Sequence, residues 1–486
     1  MNSLNKNFIF FIVFFLCVIV CFFKINDYDI FWHLKIGQIF FDTGKILDSN
    51  RFSWTAPEFS WIPTYWLFEV LVYAIFKCFG FSGLIFFNAV IHGITWGSLA
   101  IYCSRFVRVW WVLFLFVVAI DASVFHFMLR PHLFSFLGIS LLIQMLDPLR
   151  QGVLTGKIFW KGALLFFLWA NLHSGVVFGL AYLGLFLSIK VMEAHFSRES
   201  LKYAVLGWVC VCASFVNPNG FEYLTYVFDH FSMARVISLE ELQPLSFTLH
   251  KKHSAFLGFF FILSLLLIFQ SKQKRLFFLS LLGLSTYLLS KGIRFIPVVF
   301  LFCIPNLCFA AEENKMLKKI EQESLKSKFL LLALSLLYLW HLHARVFTLP
   351  GNYYQTGFGL HEESYPVKAC TFLPQEADVR LYNSFTTGGY VIWKFDETVK
   401  VFQDGRIHAY PADFFQRIET AKREPALWKQ LIEDFQINTV LINKTEDPPH
   451  FWISLKKWGW KTLFEDENFF VAIRGVGKTS PLFPLC

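Results

Sequence analysis

The sequence predicts a mainly α protein: a polytopic transmembrane helical bundle of about eleven spans, with juxtamembrane helices in its first outer loop and a small C-terminal α/β domain outside the membrane. Three observations predict it. Of the 486 residues 56% are hydrophobic and only 16% charged, where soluble chains carry about 25% charge. Apolar runs long enough to cross a bilayer recur along the chain. Near residue 349 the composition turns into an ordinary soluble mixture, so residues 1–348 read as the membrane domain and 349–486 as the extracytoplasmic one. Disorder, a coiled coil and a cytosolic enzyme are excluded.

The first apolar run, 8–23, passes straight into Lys24 and Asp27 with no small-residue cleavage site, so it is expected to stay as the first span. Further runs follow at 82–104, 109–120, 131–147, 158–172, 175–192, 203–217, 254–271, 276–290, 295–311 and 328–345. The net charge of +9 lies largely in short loops, where it orients the bundle and does not signal nucleic acid. The basic clusters (Arg105/Arg108, Arg150/Lys157/Lys161, Arg198/Lys202, Lys272/Lys274/Arg275 and 315–328) alternate consistently only if 109–120 crosses and 65–79 does not. The stretch 65–79 is short and holds Glu69, so it is expected to lie along the membrane. This topology puts the N-terminus in the cytoplasm and the C-terminal domain outside. Ten cysteines form no CxxC pair; eight fall in or beside apolar runs and read as small buried hydrophobes.

The outward-facing segments then share an unusual composition. The first carries Asp27, Asp29, His33 and Glu69; the second Asp121, His126, Arg130 and His132; the third Asn171 and His173. The fourth, 217–252, holds Glu222, Asp229, His230, Arg235, Glu240 and Glu241, and the fifth Lys291 and Arg294. Ionisable groups at a membrane boundary are costly, so acids, histidines and arginines gathered on one side outline a site. Taken singly each has a structural reading: Arg130 and Arg294 snorkelling to headgroups, His173 capping a helix break, Glu69 paired with a basic neighbour. Asp27 and Asp29, spaced i and i+2 at the exit of the first span, suit a hard divalent cation such as Mg²⁺ or Mn²⁺, or a general base. A helix follows them, apolar at Ile36, Ile39 and Phe40 and stopped by Gly44.

This segment resembles the first extracytoplasmic loop of the C-type glycosyltransferase superfamily (GT-C). Its members include the catalytic subunit of oligosaccharyltransferase, the protein O-mannosyltransferases and the lipid A aminoarabinose transferase. There an Asp at the exit of span one opens an amphipathic juxtamembrane helix that ends at a Gly, as Asp29 and Gly44 do. The stretches 48–54 and 61–66 look like the second juxtamembrane element, and Arg130-Pro131-His132 like the next outer loop. The whole chain is similar to a group of bacterial GT-C-like membrane proteins through Asp27-x-Asp29-x-x-Trp32-His33, Arg130-Pro131-His132, Asn171-Leu172-His173-x-Gly175, Asn217-Pro218-x-Gly220, Gly388-Gly389-Tyr390 and Asp404-Gly405-Arg406.

The resemblance implies transfer of a sugar from a polyprenyl-phosphate-linked donor to a glycan, lipid or protein acceptor at the extracytoplasmic face of a bacterial inner membrane. Asp29 would be the catalytic base or metal-binding carboxylate, supported by Asp27, with Mg²⁺ or Mn²⁺ an open cofactor. Arg130, Lys291 and Arg294 would meet the leaving phosphate, His132 and His173 the phosphate or sugar, and His33 and Glu69 would be further substrate-binding residues.

In the tail, strands are expected at 379–382, 390–393, 399–402, 439–442, 460–464 and 469–473, with a helical segment near 412–435. Gly388-Gly389 reads as a turn, and 403–406 as an acceptor-binding loop or a bare turn. Competing functions are a transporter or flippase of lipid-linked substrate and a non-catalytic scaffold. Against transport, the polar residues are one-sided and no internal repeat is evident.

Overall fold

The computed structural model describes residues 3–223, 226, 244–246, 257–258, 261–262, 265, 275–312, 355–376, 378–411 and 413–474. Within these, ten α-helices come first: α1 Ser3–Cys21, α2 Ile30–Thr43, α3 Trp66–Cys103, α4 Val109–Ser123, α5 Leu133–Arg150, α6 Gly156–Leu172, α7 Val176–Glu193, α8 Arg198–Ser214, α9 Arg275–Lys291 and α10 Ile296–Glu312. Among the described residues, five helices are long and apolar enough to cross a membrane: α3, α4 with its following 3₁₀ turn, α5, α7, and α10 with the turn before it. They make this an integral membrane protein. Helix α1 shows why: Ile9, Val13 and Cys17 are buried, yet the opposite face exposes Phe8, Phe11 and Phe15. A helix apolar on every side is at home only with lipid on its open face.

The expected count of eleven spans is not reproduced among the described residues. The run 328–345 lies outside them, as does most of 254–271 and most of the outer segment 217–252, with Asp229, His230, Arg235, Glu240 and Glu241. The short 109–120 run, on which the charge alternation rests, forms α4. The stretches 65–79 and 82–104 are two arms of α3, divided at Gly80, whose φ of 61° and ψ of −159° break the helix. Only glycine takes that conformation without strain. Cys78 and Cys212 are exposed, so the buried-hydrophobe reading of the cysteines does not hold for these two.

Two hydrophobic cores follow. One is the bundle, with α10 at its centre against α3, α4, α5 and α9. The other is shared: α2, the loop after it and the first arm of α3 pack into one core with the C-terminal domain. Backbone bridges seal the joint, pairing Phe23 with Thr356, Ile25 with Leu360 and Ser53 with Val401. The division at residue 348 therefore separates the chain but not its cores.

The C-terminal domain is a four-stranded sheet, β1 Leu381–Asn383, β2 Thr439–Asn443, β3 Lys461–Glu465 and β4 Phe469–Ile473, in the order β1-β2-β4-β3. Strands β1 and β2 are parallel, joined by a crossover that contains α11 Gly388–Phe395, α12 Phe414–Ala421 and α13 Pro425–Asp434; α14 His450–Lys457 connects β2 to β3. Two expected strands are corrected. Residues 390–393 belong to α11, an amphipathic helix that puts Tyr390, Val391, Ile392 and Phe395 into the core. Residues 399–402 form no strand; there Val401 pairs with the first outer loop. Gly388 and Gly389 are not a bare turn but open α11, where a β-carbon on either would strike Gln403 O or Tyr28 O.

Candidate functional site

At the joint between the two cores lies a cavity of about 140 Å³. It is walled by the N-terminus of α2, the 126–136 segment, the α6–α7 break, Arg294, and Phe385 with residues 405–408 of the C-terminal domain. Asp29, His33, Arg130, His132, His173 and Arg294 all line it. These six come from four segments spread over more than half the chain.

The two acids divide their tasks. Asp27 is buried, and Arg130 clamps it with Nε on Oδ2 at 2.8 Å and Nη2 on Oδ1 at 2.9 Å. Asp27 Oδ1 also accepts from the Asp29 backbone N–H at 3.1 Å, and Tyr365 hydroxyl donates to the Asp27 carbonyl at 3.0 Å. Asp27 thus anchors the loop and does not line the cavity. Asp29 does: it precedes the first turn of α2, its Oδ1 accepts from Trp32 Nε1 at 3.0 Å, and its Oδ2 stands 3.2 Å from Arg130 Nη2. Two carboxylates share one guanidinium, so formal negative charge outnumbers positive by one within this trio. The positive end of the α2 macrodipole favours that charge.

The histidines differ in what they present. Burial, and then the charge of Arg130, push the His33 imidazole well below its ordinary range, so it is neutral. Its Nδ1 lies 3.2 Å from Glu69 Oε1. Glu69 itself is buried beneath His33, with Oε2 lacking a hydrogen-bond partner, and does not reach the cavity. His132 Nε2 is 2.8 Å from the His126 carbonyl, which only accepts, so that nitrogen carries the proton. His173 stacks on Tyr65, the ring centroids 5.7 Å apart, and its Nδ1 meets Ser135 Oγ at 2.6 Å and the Gly175 N–H at 3.0 Å. Lys291, at the end of α9, holds its ammonium over Tyr287 and does not line the cavity.

Sequence reasoning missed most of the wall supplied from the C-terminal domain. The segment 403–406 is neither a free loop nor a bare turn. Arg406 is buried, bound to Asp404 at 2.8 and 2.7 Å and to Asn50 Oδ1 at 2.9 Å, with its guanidinium 4.8 Å from the Phe52 ring. Burial opposes its charge, but Asp404, Tyr410 and Glu69 together outweigh that and raise Arg406 above its ordinary range. His408 lies against Tyr226, whose hydroxyl is 3.2 Å from that of Tyr65. The shared motif Asp404-Gly405-Arg406 was a signal, but nothing local told that it would reach Asp29. Ser135 carried no signal beyond its proximity to marked residues, and Trp61 and Tyr65 only the resemblance of 61–66 to a juxtamembrane element.

The donor set does not fit a divalent cation. Both oxygens of Asp27 are taken by Arg130, those of Asp29 face Trp32 Nε1 and Arg130, and no group of three or more histidine, cysteine or acidic side chains among the described residues has metal-binding geometry. A cation there would sit against a guanidinium.

No family model and no curated protein matches the chain by sequence. Solved structures do match by shape. The archaeal oligosaccharyltransferase AglB from Archaeoglobus fulgidus, in complex with an inhibitory peptide and a dolichol-phosphate, superposes with a TM-score of 0.61 at 10% identity, covering 90% of this chain and 69% of that one. ArnT from Cupriavidus metallidurans, bound to undecaprenyl phosphate, gives 0.50 at 11% identity, covering 99% of this chain and 100% of that one. The chain shares the fold of these two solved structures.

Proposed function

We propose that this protein is a membrane glycosyltransferase that moves a sugar from a polyprenyl-phosphate-linked donor to a glycan, lipid or protein acceptor. Its cavity and C-terminal domain would face outward from a bacterial inner membrane. The observation that carries the reading is the convergence of Asp29, Arg130, His132, His173 and Arg294 on one cavity. Two structures of the same fold hold lipid phosphates, which supports a donor of that class.

Asp29 is the general base. Asp29 lines the cavity, and the guanidinium it meets is shared with Asp27, which takes two of the Arg130 hydrogen bonds. The acceptor hydroxyl attacks the anomeric carbon on the face opposite the phosphate. A carbon–oxygen bond forms to the acceptor as the bond to the phosphate oxygen breaks. The electron pair leaves on the phosphate, the hydroxyl proton passes to Asp29, and configuration inverts. Arg294 and His173 line the same cavity and would meet the departing charge, where fixed donors are most effective. No step uses a metal.

Purified protein in lipid nanodiscs, given a panel of radiolabelled polyprenyl-phosphate sugars and an extract of envelope glycans and lipids, is expected to transfer label from one donor. Absence of transfer across the panel, with the protein folded, counts against the reading.

A further inference from the structure

One wall of the cavity holds His173 through contacts that the reaction above leaves unexplained. Trp169 of α6 is buried between two glycines: a β-carbon on Gly138 of α5 or on Gly179 of α7 would come within 2.5 Å of its ring. Held in that slot, the indole Nε1–H donates to Ser135 Oγ at 2.8 Å. Ser135 is itself buried in the first turn of α5, 2.6 Å from His173 Nδ1, and the Gly175 backbone N–H reaches the same nitrogen at 3.0 Å. A side chain at 175 would strike Ser135 Oγ and come within 2.6 Å of His173 Nδ1.

The polarity of this chain is determined by its ends. An indole N–H and a peptide N–H donate and have no lone pair to offer. Ser135 therefore accepts from Trp169 and directs its own proton to His173, whose Nδ1 is the acceptor for two donors. An imidazole with its lone pair on Nδ1 carries its proton on Nε2. His173 lines the cavity. The neighbouring His132, 6.5 Å away between ring centroids, is held the other way round, since the His126 carbonyl takes its Nε2–H.

We propose that Ser135, braced by Trp169, is a positioning residue that holds His173 as the Nε2–H tautomer, and that His173 gives this hydrogen bond to an oxygen of a phosphate monoester bound in the cavity. A donor in the cavity that Arg130 and Arg294 also line suits an anionic oxygen, to which hydrogen bonds are strongest. The ligand assignment rests on the sugar-transfer reading above; the tautomer assignment does not.

The test uses the full-length protein in nanodiscs with undecaprenyl phosphate as probe and inorganic phosphate as competitor. A Gln side chain places its amide nitrogen near the position of Nε2, and Asn near that of Nδ1. His173→Asn and Ser135→Ala are expected to weaken binding by about tenfold or more, while His173→Gln and Ser135→Thr retain most of it. Inorganic phosphate should compete at the wild-type site and lose potency in His173→Asn, which assigns the contact to the phosphate group and not to the lipid chain. Equal potency in both removes the proposal. Nitrogen-15 spectra of histidine-labelled protein should show His173 as the Nε2–H tautomer in the wild type and as a mixture in Ser135→Ala. If Ser135→Ala does not fold, Trp169→Phe, which keeps a ring in the slot and removes only the N–H, should give the mixed signal. A wild-type spectrum with the proton on Nδ1, or an unchanged spectrum in the variant that folds, overturns the assignment. Wild-type protein that fails to bind undecaprenyl phosphate sinks the ligand assignment together with the sugar-transfer reading. Binding that persists in His173→Asn sinks this inference alone.

Discussion

Gly405 of the C-terminal domain abuts Asp29 of the first outer loop: a β-carbon at 405 would collide with Asp29 Oδ1 and come within 3.1 Å of Trp32 Nε1, the donor to that same oxygen. The backbone of one domain thus forms the wall beside the carboxylate of the other. The neighbouring Arg406, tied to Asp404 and Asn50, keeps that backbone in place.

Gly405→Ala should accordingly pry the domain from the loop. Overpacking of this kind costs roughly 1–3 kcal/mol, so the protein should still fold, with a lowered Tm and with sugar transfer reduced far more than stability. Transfer equal to wild type would show that the strip at 405 takes no part in forming the site.

Arg130→Ala removes the partner of a buried carboxylate. Leaving Asp27 uncompensated should cost about 3–5 kcal/mol, seen as a large drop in thermal midpoint. Asp29, which is less enclosed, should show no such effect when changed to Asn. Similar losses in the two variants would mean that the acids do not divide their roles as their contacts indicate.

Asp447 makes stability depend on pH. Burial, and then the neighbouring Glu446, push its carboxyl up to about 7. Asp447 accepts from Ser384 Oγ, and Glu446 from the backbone N–H groups of Phe385 and Thr386, the segment that carries Phe385 to the cavity wall. The folded state keeps a proton that the unfolded chain releases near about pH 4. This contribution is therefore full below about pH 4 and is lost as pH rises to about 7. Thermal midpoints taken at steps from mildly acidic to mildly alkaline pH should fall for wild type and change less for Asp447→Asn. Parallel slopes would contradict the assignment.

Chelation should leave transfer unchanged, and added Mg²⁺ or Mn²⁺ should not raise it, because Arg130 and Trp32 already occupy the carboxylate oxygens. Loss of transfer in EDTA, restored by one cation, would show that these contacts open to admit a metal.

What could be read from the sequence followed from rules that act over short range. The interval from Asp29 to Gly44 marked α2 because a left-handed glycine, φ 69°, ends it. The charge pattern singled out the polar segments, since lipid leaves few reasons for a buried arginine or histidine. Pairings over long range were not legible. Asn50 and Arg406 are 356 residues apart, and nothing near either predicts their bond. Glu69 shared its chemistry with the cavity residues, yet helix phase turned it under His33. The strand expected at 390–393 rested on β-prone residues, but an amphipathic helix buries the same side chains in the core it shares with α2.

The most direct test of the central claim is single-turnover transfer by Asp29→Asn. Its side chain makes no cap hydrogen bond to α2, and Asn preserves an acceptor for Trp32. The variant should fold and bind undecaprenyl phosphate as the wild type does, while transfer falls by about a hundredfold or more, the usual contribution of a general base. Transfer at the wild-type rate by folded Asp29→Asn would show that Asp29 is not the base.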